Sequence, residues 1–341
     1  MIILGINAYH ADSSAAIFVD GEMIAAIEEE RFTRIKHWAG FPIQSVEFCL
    51  KEAGITINDV NHIAIGRDPK AKLGKKLLFL ATHPFFGFKA VKERLGNRKA
   101  IQSIAAIMAN HFAIDASRIQ DKIRNIEHHR SHLASAFFAS PFEKAACLSI
   151  DGSGDFSTTM LAIGDGNQIT VIDSIDFPHS LGLFYTAFTQ FLGFPHYGDE
   201  YKVMGMAPYG EAKYIEQVQQ VIRLTDDGLF KLNLHFFRDA SSGIIRYENN
   251  MPIVSPLFSD AFVKLFGKPR RREDPLEQFH KDLAASVQRV TENVIFHILN
   301  HLQKRTGLIK VCIAGGVAQN SVANGKITRN TGFSEVYIPS A

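Results

Sequence analysis

Cysteine is scarce in this chain, and its three copies, Cys49, Cys147 and Cys312, stand far apart. Two of them, Cys147 and Cys312, lie inside apolar strand-like runs. This pattern fits neither a disulfide framework nor a Cys-type zinc site, and reads as buried free thiols in a reducing compartment. An excess of one charge is missing too. Against 37 Lys and Arg stand 35 Asp and Glu, leaving +2 over 341 residues, so no global field favours nucleic acid. No apolar run has the length of a membrane span, and the N-terminus enters a strand without the basic region of a signal peptide. A cytoplasmic protein, without membrane or nucleic-acid partners, is expected. What remains is ordinary globular material, 46% hydrophobic and 21% charged, enough for one large or two medium domains.

Two stretches of that material follow one pattern. Residues 2–9 are apolar and β-rich. They lead into a polar turn of small residues, His10 to Ser14, then a strand from Ala15 to Val19. An Asp20-Gly21 hairpin turn and a third strand, Glu22 to Glu28, complete the meander. The same order returns from Ala145: a strand to Ile150, a polar Gly-rich turn, a strand from Thr158 to Ile163, a turn at Asp165-Gly166, and a strand from Ile169 to Ile175. An internal duplication is expected. Between the copies, Pro42 to Gly54 reads as an amphipathic helix and His62 to Gly66 as a strand. Residues 67–99 mix basic side chains with phenylalanines, the pattern of a solvated helical insertion. Further on, residues 179–194 and Lys213 to Leu224 read as helices, and Pro275 to Arg305 as one long amphipathic helix stopped by Gly307.

The chemistry concentrates in HHRSHLASAFFASPFEKAACLSIDGSGD, residues 128–155. His128 and His132 are one helical turn apart and project from one face. The strand that follows delivers Asp151. Two imidazoles and a carboxylate make three ligands for a divalent transition metal. Beside that carboxylate, Gly152, Ser153 and Gly154 let backbone N–H groups approach a phosphate. Two other places suit a ligand: the dense run from His196 to Gly210, taken as a loop with Lys202 and Gly205, and Gly315-Gly316 to Asn320 after the strand Ile309 to Ala314.

Several motifs, in order along the whole chain, resemble the nodulation-type and antibiotic-type O-carbamoyltransferase family. They are GINAYHADSSAAIFVDGEMIAAIEEERFTRIKH, EHHRSHLASAFFAS, SIDGSGD, YGDEYKVMGMAPYG and AGGVAQNSVANGKI. Related tRNA threonylcarbamoyl-transferring ATPases share the H-x-x-x-H and GGVA-x-N elements. The HADSSAA opening and the EYKVMGMAPYG run fit the small-molecule enzymes better. The resemblance implies an α/β chain of duplicated actin-like, ribonuclease H-like lobes, with mixed sheets and a cleft between them. On that pattern the first lobe covers residues 1–125, with a basic helical insertion near 67–112, and the second covers 126–341. A sugar kinase of the same superfamily would carry an acid where this chain has Asn7.

The resemblance also implies an activity. A carbamoyl group from carbamoyl phosphate, activated with ATP as carbamoyl adenylate, passes to a hydroxyl of a small-molecule acceptor such as a sugar, aminoglycoside or other natural product. His128, His132 and Asp151 match the family's metal ligands, with iron the common metal. Its fourth ligand would lie past Ala341, so the chain is expected to be a fragment. A YrdC-like domain that makes the adenylate is expected in the same full-length chain or a partner. A homodimer is a further possibility. His10 is the candidate general base, because imidazole titrates near neutral pH. Lys36 and Lys202 are candidates to neutralise developing charge, and the turn Asp12, Ser13 and Ser14 to face the nucleotide. The alternatives are a tRNA threonylcarbamoyl-transferase-like ATPase and a non-catalytic nucleotide- and metal-binding module.

Overall fold

The computed structural model describes residues 1–82, 104–238 and 245–340. They form two compact units: Met1–Glu127 with Ser241–Ser255, and His128–Ala240 with Pro256–Ala341. The first holds strands β1 (Ile2–Asn7), β2 (Ser14–Val19), β3 (Glu22–Glu28), β4 (His62–Ile65) and β5 (Ile123–Asn125). Alternation turns Leu4, Ile6, Ala15 and Ile17 inward, as a period of two requires. Asp20 and Gly21 both have positive φ, 50° and 92°, the backbone of a tight hairpin turn. Val46, Cys49 and Leu50 of the Ile43–Glu52 helix pack on this sheet with Ile104 and Met108. Of the basic insertion expected near 67–112, helices Leu73–Thr82 and Ile104–Phe112 are described, and residues 83–103 lie outside the described residues.

The second unit carries β6 (Lys144–Gly154), β7 (Ser157–Asp165) and β8 (Gln168–Asp176). Two small hairpins follow in the chain, β9 (Ile222–Leu224) with β10 (Phe230–Leu232), and β11 (Ile245–Glu248) with β12 (Met251–Val254). The last strands are β13 (Lys310–Ala314) and β14 (Glu335–Tyr337). The two large sheets run β3-β2-β1-β4-β5 and β14-β13-β6-β7-β8. In each, the first three strands of the set are antiparallel neighbours and the last two continue parallel to the first. One strand order therefore occurs twice. This is the duplicated actin-like, ribonuclease H-like α/β fold with mixed sheets.

The sheet of the second unit is covered on both faces. Ala146, Leu148 and Ile150 of β6 face a core of Phe184, Phe188, Phe191 and Phe262 with the 29-residue helix Gln278–Thr306. Ala145 and Cys147 face Leu133, Ala136 and Phe137 of the helix His128–Phe137. All three cysteines are free and buried. Three expectations are corrected. The run taken as a loop from His196 to Gly210 contains the helix Glu200–Met206 and a 3-10 turn, Ala207–Tyr209. In it Val203 and Met206 are buried, and their packing sets a helix inside a polar run. Lys213 to Leu224 is helical only over Ile215–Gln219. Its β-branched end becomes β9, paired to β10 across a turn where Gly228 has φ 81°. Finally, β6 does not stop at Ile150 but runs to Gly154, with its register against β7 broken between those residues.

Candidate metal and ligand site

Strand parity puts Asp151 on the face of the histidine helix. Ala145 and Cys147 already point that way, and Ser149 bonds His129 Nδ1 at 2.8 Å. Asp151 is the next odd-numbered residue. On the helix, His129, Leu133, Ala136 and Phe137 are buried against the sheet. His128 and His132 form the neighbouring stripe. Their Nε2 atoms lie 3.0 and 3.2 Å from Asp151 Oδ2 and 3.1 Å from each other. Among the described residues these three form the metal-capable cluster.

Donors about 2.1 Å from one cation and at right angles to each other lie about 3.0 Å apart. The triangle found here has nearly those edges. The two ring nitrogens lie 3.1 Å apart, a spacing that two ligands of one cation share. The side chains are 18%, 28% and 20% exposed, shielded but reachable. Desolvation pushes Asp151 up, yet the His128 and His132 imidazoles outweigh it and hold its carboxyl well below the usual range. It is thus charged and ready as a ligand at neutral pH. Burial, with repulsion from His128, drives the neighbouring His129 down to about 3, so that ring stays neutral.

Backbone completes the site. Asp151 Oδ1 accepts from Gly152 N at 2.7 Å and Gly316 N at 3.2 Å, which fixes the carboxylate's rotation. The turn that closes β6 onto β7 lies at Asp155 and Phe156, with φ 49° and 82°. Asp155 Oδ2 accepts from His128 N at 3.0 Å, placing a negative charge at the start of the histidine helix. A Cβ on Gly154 would lie 2.0 Å from His128 Cδ2, so only glycine leaves space for that ring. A Cβ on Gly182 would lie 2.7 Å from Gly152 Cα, and one on Gly315 2.3 Å from the Ile150 carbonyl oxygen. Ser180, which caps the Leu181–Phe191 helix, donates to Gly152 O at 2.6 Å. Asp155, Ser180 and Gly182 were not among the candidates from sequence. For Asp155 a signal existed, its place in the DGSGD run, whereas Ser180 and Gly182 reach the site only through tertiary approach.

Other candidates stand apart from this cluster. Ser153 is exposed. Gly205 is in a helix, with open space where a Cβ would stand. Lys202 is tied to Asp199 at 2.5 Å and lies near the Phe194 and Tyr201 rings, so its charge is already compensated. The Asn320 side chain is committed as well. Its oxygen accepts from Ala323 N at 3.0 Å, and its amide pairs with that of Gln288.

In the first unit, His10 to Ser14 join β1 to β2. Asn7 Nδ2 holds the Ala11 and Asp12 carbonyls at 3.3 and 3.0 Å. Ser13 is a correction to the ligand-facing set. It is fully buried, its N–H donates to Trp38 O, and its hydroxyl lies at 2.9 and 2.8 Å from the His10 and Gly40 carbonyls. Ser14 is the first residue of β2, paired with Asn7 and Glu28. Asp12 Oδ1 meets His37 Nδ1 at 2.8 Å. His10 Nδ1 lies 3.2 Å from the Ala11 carbonyl, which can only accept, so this contact places a proton on Nδ1. Lys36 is exposed.

A family model described as the carbamoyltransferase N-terminus matches residues 2–341, so the chain belongs to that family. It is 41% identical over 349 residues to an uncharacterised protein of Synechocystis sp. (strain ATCC 27184 / PCC 6803 / Kazusa), covering 99% of this chain and 54% of that one. It is 34% identical over 346 residues to the nodulation protein NolNO of Sinorhizobium fredii, covering 98% and 45%. Among solved structures, component A of the Acidaminococcus fermentans (R)-2-hydroxyglutaryl-CoA dehydratase matches 99% of this chain and 92% of its own, at 13% identity and TM-score 0.46. The chain spans about half the length of the curated relatives it matches. No helix among the described residues is long and apolar enough to cross a membrane.

Proposed function

We propose that this chain is the transfer domain of an ATP-dependent O-carbamoyltransferase. Its donor is carbamoyl phosphate, activated as carbamoyl adenylate by a YrdC-like domain of the same full-length chain or of a partner. Its acceptor is a hydroxyl of a small molecule such as a sugar, aminoglycoside or other natural product. The observation that carries the reading is the His128, His132 and Asp151 cluster, backed by Gly152 and Gly316, in a chain of the carbamoyltransferase family. Two histidines and one carboxylate suit iron among divalent metals.

In the transfer step the acceptor oxygen attacks the carbamoyl carbon, the bond from that carbon to the phosphate oxygen breaks, and AMP leaves. The bound metal would supply Lewis acidity at an oxygen of the donor. The chain's residues supply the rest. His10 Nε2 takes the acceptor's proton, a positioned base being worth roughly 10²- to 10⁴-fold. Lys36 offers positive charge to the leaving phosphate, while Lys202 acts only as far as Asp199 leaves its charge available. The N–H groups of Gly152 and Gly316 are held by Asp151, so the backbone beside them, at Ser153 and Gly315, is what would meet the nucleotide.

The test is acceptor-dependent release of AMP from ATP and carbamoyl phosphate by the full-length protein. A panel of polyols serves as acceptors, before and after chelation. Turnover that is lost in His128→Ala and on chelation supports the reading. Release of ADP with a phosphorylated sugar would replace it with a kinase.

A further inference from the structure

A buried polar cluster on the core side of the second unit stands behind the Gly315–Asn320 turn. Tyr185 comes from the Leu181–Phe191 helix, and Gln288 and Glu292 from the helix Gln278–Thr306. They are 5%, 4% and 3% exposed. Gln288 and Glu292 are four residues apart and share a helix face. The Gln288 amide is fully used. Its oxygen accepts from Tyr185 Oη at 3.0 Å and from Asn320 Nδ2 at 2.9 Å. Its nitrogen donates to Asn320 Oδ1 at 2.9 Å and to Glu292 Oε1 at 3.0 Å. Lys326 Nζ closes the cluster on both Glu292 oxygens, at 2.7 and 2.8 Å. An amide with both donors and both acceptor positions filled has one orientation, because a flip would set donor against donor.

The cluster grips one end of a turn whose other end touches the metal-capable carboxylate. Asn320 is simultaneously the partner of Gln288 and the cap of the following helix, through Ala323 N. Four residues before it, Gly316 N donates to Asp151 Oδ1, and Gly315 lies too close to Ile150 for any side chain. Gly316 and Asn320 thus stand at the two ends of one short 3-10 turn, Gly316–Gln319. We infer that Gln288, anchored by Glu292, Lys326 and Tyr185, is a positioning residue. It sets the Gly315–Asn320 turn, and through Gly316 the rotation of Asp151. The inference rests on the metal reading for its consequence, although the mechanical link does not require it.

The test compares Gln288→Met with the unaltered full-length protein by hydrogen exchange and by Co²⁺ titration followed by its visible absorption. Met keeps the volume and removes every hydrogen bond of the amide. The expected result is exchange about tenfold faster over 315–320 and 151–154 with β7 and β8 unchanged, and Co²⁺ affinity about tenfold weaker with an altered spectrum. Tyr185→Phe, which removes one donor and keeps the packing, moves exchange at 315–320 in the same direction by less. Unchanged exchange at 315–320, or acceleration spread evenly over the unit, overturns the inference. Local loosening in a protein that binds no Co²⁺ upholds it and refutes the metal reading instead.

Discussion

Single side chains and single missing side chains carry much of the site. Gly154 is the sharpest case, because a methyl there would occupy the His128 ring's place. Gly154→Ala is expected to weaken divalent-metal affinity about tenfold or more, measured by competition with a chromogenic chelator; an unchanged affinity would show that the ring has another seat. His179 gives a pH-dependent prediction away from the metal. Burial, then the cations of Lys231 and Arg223, hold it below the ordinary imidazole value, and its Nδ1 accepts from Leu232 N at 3.2 Å. The unfolded chain therefore binds more protons as pH falls through the ordinary range near about 6.5, and stability is lost in that direction. Urea midpoints at pH 7.5 and 5.5 should drop less in His179→Gln than in the unaltered protein, and equal drops would contradict this. At this scale the sequence made His128, His132 and Asp151 legible, since helical and strand periods alone bring them to facing surfaces. It did not reveal that Ser13 and Asn320 spend their polar groups internally, because their partners at Gly40 and Gln288 are brought near only by folding.

Among the elements, the histidine helix depends on what stands at its first turn. It has no acidic residue of its own there, and Asp155, reaching across from the β6–β7 turn, supplies the acceptor. Asp155→Ala is expected to cost about 1 kcal/mol, the usual size of a lost N-terminal cap. It should also loosen His128, so denaturation midpoint and metal affinity fall together; a stability loss with intact affinity would separate the cap from the site. The elements most open to prediction were those with long, clean periods, such as the helix Gln278–Thr306 and the β2–β3 hairpin. The stretch from His196 to Gly210 was obscured by its glycines and charges. Its buried Val203 and Met206 are too few to announce a helix by periodicity, and packing decides it.

At the scale of the molecule, the duplication was readable because each copy repeats strand, small-residue turn, strand, hairpin and strand. The two sheets carry the same order. The β11–β12 hairpin was not readable in this way. It lies far along the chain yet belongs to the first unit, where Asn250 O accepts from Ala39 N at 2.8 Å. No local signal encodes such a return. Its turn uses Asn249 and Asn250 with φ 52° and 60°, a backbone Asn tolerates better than most residues. Replacing both by valine should misform the hairpin and shift the emission of Trp38, the chain's one tryptophan, while metal binding in the second unit persists. An unaltered Trp38 spectrum would show that the hairpin does not support that loop.

The claim on which the account turns is that one helix and one strand build a single metal centre from His128, His132 and Asp151. Metal content after loading with Fe²⁺ or Co²⁺ under anaerobic conditions tests it directly, on the unaltered protein and on His132→Ala and Asp151→Ala. The account predicts one tightly held ion per chain, lost from both variants while each retains its fold by circular dichroism. An ion retained with equal affinity by folded variants would contradict it.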